Sequence, residues 1–185
     1  VSLAICHIRE NAEKYNINPD RIFVCGFSAG GHLAGAIGTL WDRDYAKTTP
    51  DMPFGMNKPK GVIMSYPVIT MGEYAHAYSR ELITGNDADA EQWKQECSLE
   101  LQVNENTVPA FVWQTQNDDC VPIQNSMLYA QAMIDHNIPV ELHIYPKGPH
   151  GMSVVAEETS QANPAQGDPH VGGWVKAALE WMKII

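Results

Sequence analysis

A serine set between glycines is the part of this chain that could do chemistry. Ser28 stands in Gly26-Phe27-Ser28-Ala29-Gly30, between an apolar run, Arg21-Ile22-Phe23-Val24-Cys25, and a helix-like stretch, His32-Leu33-Ala34-Gly35-Ala36-Ile37. Strand, G-x-S-x-G and helix in that order form a turn tight enough to lift a serine hydroxyl above the carboxyl end of the strand, where it can attack a carbonyl carbon. Glycines at 26 and 30 are expected to remove side chains that would collide in such a turn. The Ala29 N–H, the first amide after the serine, would then face the oxygen of the attacked carbonyl and supply an oxyanion hole. A lone G-x-S-x-G is a weak signal, so the rest of the machinery has to be found.

A serine hydroxyl becomes nucleophilic only beside a base, and an imidazole base needs an acceptor to orient it. Both are sought after later apolar runs. The run 109–115 leads into Gln116-Asn117-Asp118-Asp119-Cys120-Val121-Pro122, where Asp118 and Asp119 compete for the acid. The run 139–145 leads into Pro146-Lys147-Gly148-Pro149-His150-Gly151, a Gly- and Pro-rich loop that could hold His150 as the base. Each alone reads as readily as a loop residue making a turn. In the chain order Ser, Asp, His they match the α/β-hydrolase order. Of the remaining histidines, His32 is read as structural support for the elbow helix, and His143 falls mid-strand. His7, His76, His136 and His170 are placed on helices or loops away from the strand ends.

The elements that must position these groups alternate. A helix is predicted over Val1–Tyr15 from apolar residues at 1, 5, 8 and 12, followed by a turn at 16–20. Strand 21–26, the elbow, and a helix to about Trp41 come next. Residues 42–59 read as surface loop, 61–66 as a second strand and 109–115 as a third. Ile123 to His136 reads as a helix, 139–145 as the fourth strand, and Val171 to Ile185 as a closing amphipathic helix after the break at Gly167-Asp168-Pro169. Residues 71–108 are polar and broken, with short helical pieces such as Ala90 to Cys97, and are expected to form a lid or substrate wall over the carboxyl end of the sheet. Tyr66, Trp93 and Trp113 are candidates to line a pocket there. Short apolar strands alternating with helices predict an α/β fold, a mostly parallel sheet with helices on both faces, whose chemistry sits at the strands' carboxyl ends. The whole of 1–185 is expected to be a single domain.

Three segments carry a resemblance: NPDRIFVCGFSAGGHLAG around Ser28, VPAFVWQTQNDDCVPIQNSMLYAQAM around the aspartates, and PVELHIYPKGPHGM around His150. With them the chain resembles the esterase/lipase branch of the α/β-hydrolase superfamily, which includes the acetyl-xylan-esterase-like and hormone-sensitive-lipase-like enzymes. That resemblance selects Asp118 as the acid, because the family's aspartate stands in D-x-x-V-P, and His150 as the base, because its histidine stands in G-x-H-G. It implies a Ser28–His150–Asp118 triad, no metal and no organic cofactor, and a small-molecule ester substrate with a short acyl group, such as acetyl on a sugar. The family also carries an H-G-G-type loop that donates to the oxyanion. None occurs among the 27 residues before Ser28, which leaves Ala29 as the one donor that can be named. Loss of such a donor costs about 10²–10³ in rate. The expectation is therefore a carboxyl-terminal portion of the fold, lacking the N-terminal strands that would pair beside 21–26. A homo-oligomer covering that strand's edge is the alternative.

Composition narrows the remaining classes. With 185 residues, 44% hydrophobic and 18% charged, the chain is long enough to bury a core. Its net charge of −10 lacks the basic face of a nucleic-acid binder and gives no attraction to an anionic membrane. No stretch is long and apolar enough for a membrane span. The four cysteines, Cys6, Cys25, Cys97 and Cys120, form neither a C-x-x-C pair nor a zinc pattern and are expected to be free thiols, with Cys25 a small core residue. No signal-peptide pattern is present, so the compartment is unassigned, with the cytoplasm favoured. Two rivals to the esterase remain: a serine peptidase of the prolyl-oligopeptidase type, with the same residue order, and a non-catalytic hydrolase-like module.

Overall fold

A computed structural model describes residues 1–85, 90–156, 159 and 167–185. The chain begins with α1 (Ser2–Glu10) and α2 (Ala12–Tyr15), then β1 (Phe23–Phe27), α3 (Ala29–Leu40) and β2 (Gly61–Ser65). The segment between β2 and β3 holds α4 (Ala77–Thr84) and α5 (Ala90–Cys97); its residues 86–89 lie outside the described ones. There follow β3 (Ala110–Thr115), α6 (Gln124–Asp135), β4 (Val140–Tyr145), α7 (Pro169–Gly172) and α8 (Trp174–Ile184).

Among the described residues the four strands form one parallel sheet in the order β1-β2-β3-β4. Parallel neighbours need crossovers, and the helices between the strands supply them. Strand alternation sends side chains to two cores. Val62, Met64, Ala110 and Val112 meet α3 (Ala34, Ile37), α6 (Tyr129, Met133) and Ile5 of α1 on one face. Ile63, Phe111 and Trp113 meet Trp174, Ala178 and Trp181 of α8 on the other. β2 and β3 are buried throughout, as strands covered on both faces must be. No helix among the described residues is long and apolar enough to cross a membrane.

Two expectations change, and one helix is added to those the sequence named. The predicted helix 1–15 is two helices, broken at Asn11 (φ −105°, ψ 20°), whose side-chain amide donates to the His7 carbonyl at 2.8 Å. That local bond competes with helix continuation. The second piece stops at Asn16, which adopts the left-handed conformation that asparagine tolerates (φ 52°, ψ 49°). α4 was hidden by its polar composition; His76 caps it, its ring nitrogen accepting from the Ser79 N–H. Cys25 is exposed rather than a core residue, because among the described residues β1 has a sheet neighbour on one side, β2. All four cysteines are free thiols.

Candidate active site

Each strand delivers one part of the site from its carboxyl end. After β1 the backbone turns at Ser28 into φ 54°, ψ −119° and enters α3. Non-glycine residues are rarely found at such angles, and strain of this kind persists only where the surroundings hold it. They do so here: the Ser28 N–H donates to the Ser65 carbonyl at 3.0 Å, and the Ser28 carbonyl accepts from His32 N–H and Val68 N–H, both at 3.2 Å. A Cβ on Gly26 would lie 2.0 Å from the Gly30 carbonyl oxygen, so this glycine is obligatory. Gly30 is not, since a Cβ there meets nothing within 4 Å. The second constrained position is Gly31, whose Cβ would lie 2.8 Å from that of Pro67. The elbow's steric limit on the helix side thus falls one residue later than the pentapeptide suggests.

The three sequence-selected side chains come together. His150 Nε2 is 2.8 Å from Ser28 Oγ, and His150 Nδ1 is 2.8 Å and 3.1 Å from the two Asp118 oxygens. An ionised carboxylate can only accept, so Nδ1 carries the proton and Nε2 presents a lone pair to the serine hydroxyl. The Asp118 side chain is fully buried and that of His150 is 18% exposed. Burial pushes the Asp118 carboxyl up, but hydrogen bonds from His150 and from the Val121 and Cys120 N–H groups outweigh it and hold it below its ordinary value. Asp119, the competing aspartate, accepts from the His150 backbone N–H at 3.0 Å and so fixes the loop rather than the ring. The Asn117 side chain accepts from Gly148 N–H at 2.9 Å, and the Thr115 hydroxyl donates to the Gly148 carbonyl at 2.7 Å. Ala29 is the first residue of α3, where amides have no intrahelical partner and the helix dipole favours negative charge.

Several neighbours make contacts that sequence reasoning did not assign. Tyr66 stands edge-on to the His150 ring, with centroids 4.8 Å apart, and its hydroxyl accepts from the Ser153 N–H; burial pushes its phenol up. Gln114, fully buried in β3, donates to Val121 carbonyl oxygen at 2.7 Å and to Asp118 Oδ2 at 3.3 Å, while its own oxygen accepts from Ser126 Oγ at 2.6 Å. The available signal was a polar amide inside the apolar run AFVWQT. His76 is not remote from the strand ends: its Nε2 lies 3.5 Å from Cys120 Sγ in the Asp118 loop. His170 packs edge-on to Tyr145 at the end of β4. His32 has the expected supporting place, its Nδ1 3.2 Å from the Val68 carbonyl. Trp113 is fully buried, and its indole donates to Ser65 Oγ at 2.7 Å. Trp93 is surface-exposed. Among the described residues no group of three or more His, Cys, Asp or Glu side chains is placed to hold a metal ion.

The BD-FAE family model matches residues 1–133, which include the elbow and the Asp118 loop. The chain belongs to the BD-FAE family. Among its relatives, "Endo-1,4-beta-xylanase B" of Butyrivibrio fibrisolvens is 43% identical over 159 residues, covering 85% of this chain and 25% of that protein. "Acetylxylan esterase" of Xylanibacter ruminicola is 32% identical over 148 residues, covering 78% and 28% respectively. A solved structure, an acetyl ester-xyloside bifunctional hydrolase from Caldicellulosiruptor lactoaceticus, superposes with a TM-score of 0.80 at 34% identity, over 98% of this chain and 63% of that one. This BD-FAE chain thus has the α/β-hydrolase fold, and spans about a quarter of the curated relatives' length and under two thirds of that solved chain.

Proposed function

We propose that this chain hydrolyses carboxylic esters of short acyl groups, acetyl on a sugar among them, through an acyl-enzyme on Ser28. The observation that carries the reading is the unbroken hydrogen-bonded line Ser28 Oγ, His150, Asp118, with 2.8 Å at each junction. Ser28 Oγ attacks the ester carbonyl carbon while His150 Nε2 takes its proton. Asp118 holds the imidazolium in place. The Ala29 N–H donates to the oxyanion. The tetrahedral intermediate then expels the alcohol, which receives the proton from His150, and leaves the acyl group on Ser28. Water attacks that ester with His150 as base, the acid departs, and the proton returns to Oγ. The names of the relatives, an acetylxylan esterase and an acetyl ester-xyloside hydrolase, support acetyl esters of sugars as the substrate class.

The test is p-nitrophenyl acetate turnover beside that of Ser28→Ala, with mass mapping of the residue labelled by a fluorophosphonate. Loss of turnover of at least 10³-fold on substitution, and label on Ser28 alone, are expected, since the triad acts as a unit. Turnover that survives Ser28→Ala overturns the mechanism.

A further inference from the structure

Tyr66 follows β2 directly and is held at φ 39°, in the left-handed region, where a bulky side chain is an outlier. Strain of this kind persists only where the surroundings fix it, and it concentrates at functional sites. The segment that carries Tyr66 is clamped to the nucleophile. The Ser65 carbonyl accepts from the Ser28 N–H at 3.0 Å, the Val68 N–H donates to the Ser28 carbonyl at 3.2 Å, and the Tyr66 N–H donates to the Trp113 carbonyl at 2.7 Å. From that fixed backbone the side chain reaches the base. Its ring meets the His150 ring edge-on, with 4.8 Å between centroids and 71° between planes, and packs against the Trp113 ring at 5.1 Å. Its hydroxyl accepts from the Ser153 N–H at 3.0 Å, just beyond His150 in the same loop, and the Trp174 indole donates to the Ser153 carbonyl at 3.0 Å. Tyr66 is 4% exposed, so ring and hydroxyl have little room to move. One residue thus ties the elbow both to the ring of the base and to the loop that bears it.

The two halves of an acyl-enzyme reaction lean on that tie unequally. Before attack, the His150 ring is hydrogen-bonded at both nitrogens, Nδ1 to Asp118 and Nε2 to the Ser28 hydroxyl. Once the acyl group is on Ser28, Oγ is an ester oxygen with no hydrogen to give, and the bond at Nε2 is lost. His150 must nevertheless aim Nε2 at the incoming water, take its proton as the water oxygen attacks the acyl carbon, and return that proton to Oγ as the acid departs. The Tyr66 contact does not depend on the state of Ser28 and persists through this stage. We propose that Tyr66 is a positioning residue for His150, and that hydrolysis of the acyl-enzyme depends on it more than formation of the acyl-enzyme does. This assignment rests on the ester-hydrolase reading above and adds to it a residue and the half-reaction that residue serves.

The experiment compares Tyr66→Leu, which removes ring and hydroxyl, with Tyr66→Phe, which restores the ring. Tyr66→Met is a second ring-free variant, with a flexible chain that fills irregular gaps. p-Nitrophenyl acetate kinetics separate the two halves, because kcat/KM reports attack by Ser28 while kcat also carries the hydrolysis step. In the ring-free variants kcat should fall about 10²-fold, the cost of misplacing a reacting group by an ångström, and kcat/KM by about tenfold or less. KM then falls with kcat, and a burst of p-nitrophenol precedes the steady state. Tyr66→Phe should recover most of the loss in kcat. Equal falls in kcat and kcat/KM, no fall in either, or a loss that Tyr66→Phe does not recover overturns the assignment while Ser28-dependent turnover stands. A second measurement needs no turnover. It is the low-field proton resonance of His150 Nδ1–H in Ser28→Ala, which lacks the hydroxyl hydrogen bond as the acyl-enzyme does. The resonance should be present in Ser28→Ala, persist when Tyr66→Phe is added, and be lost when Tyr66→Leu or Tyr66→Met is added. Its survival with the ring gone, or its absence from Ser28→Ala itself, overturns the assignment even if no ester is turned over.

Discussion

Replacing Gln114 with leucine separates what holds the acid from what holds the fold. Leucine fills nearly the same volume but can neither donate nor accept. Two buried partners lose their bonds outright: the Val121 carbonyl, at 2.7 Å, and the Ser126 hydroxyl, at 2.6 Å. A buried polar group left unpaired costs about 1–3 kcal/mol, so the substitution should destabilise the protein by about 2–5 kcal/mol. Asp118 loses much less. Its bond to Gln114 is its longest, 3.3 Å, and it keeps the Cys120 and Val121 N–H groups at 2.9 Å and the His150 ring. Turnover by the folded variant should therefore fall by about tenfold or less. Urea unfolding followed by circular dichroism reads the first quantity: with a slope of about 2 kcal/mol/M, the midpoint drops by about 1–2.5 M. p-Nitrophenyl acetate kinetics below the transition reads the second. The double variant Gln114→Leu with Ser126→Ala should recover part of the loss, because one orphaned hydroxyl is then gone. A thousandfold fall in turnover with an unmoved midpoint would refute the reasoning, since it would mean that the amide and not the backbone orients Asp118.

The glycines of the elbow give a contrast in one experiment. Gly26→Ala should yield no soluble folded protein, because its Cβ would sit 2.0 Å from a backbone oxygen, whereas Gly30→Ala meets open space inside α3 and should stabilise by up to about 1 kcal/mol as measured by thermal unfolding. The reverse ranking would show that the elbow is built differently. Acid should also weaken the fold through His32. Its native pKa lies below the ordinary 6.5, so the unfolded chain binds the extra proton, and stability should fall as pH drops below about 6.5. His32→Gln, which keeps a donor for the Val68 carbonyl, should flatten that slope in urea midpoints taken at pH 8, 6.5 and 5; an unchanged slope assigns the effect to other groups.

Much of the site was legible because its signals are local. The G-x-S-x-G turn is written in five consecutive residues, and each of the two loops that bear Asp118 and His150 follows directly on an apolar run. The four strands fell near their expected places for the same reason: β2 and β3 are covered on both faces, and such strands read as continuous apolar runs. The helix Ala90–Cys97 was found at its observed bounds. The choice between Asp118 and Asp119 was less secure from residues alone. Adjacent aspartates look alike in sequence, yet the backbone aims one at the His150 ring and the other at its N–H.

What the sequence determined by itself, then, was the set of parts and their order: a serine, an aspartate and a histidine, each after the end of a strand, in an α/β alternation. Folding decided how those parts meet across long separations. Ser28 and His150 are 122 residues apart in the chain and 2.8 Å apart in space. His76 reaches Cys120, and the Tyr66 ring flanks His150. None of these follows from periodicity, which reports which face of an element is apolar but not which element covers it.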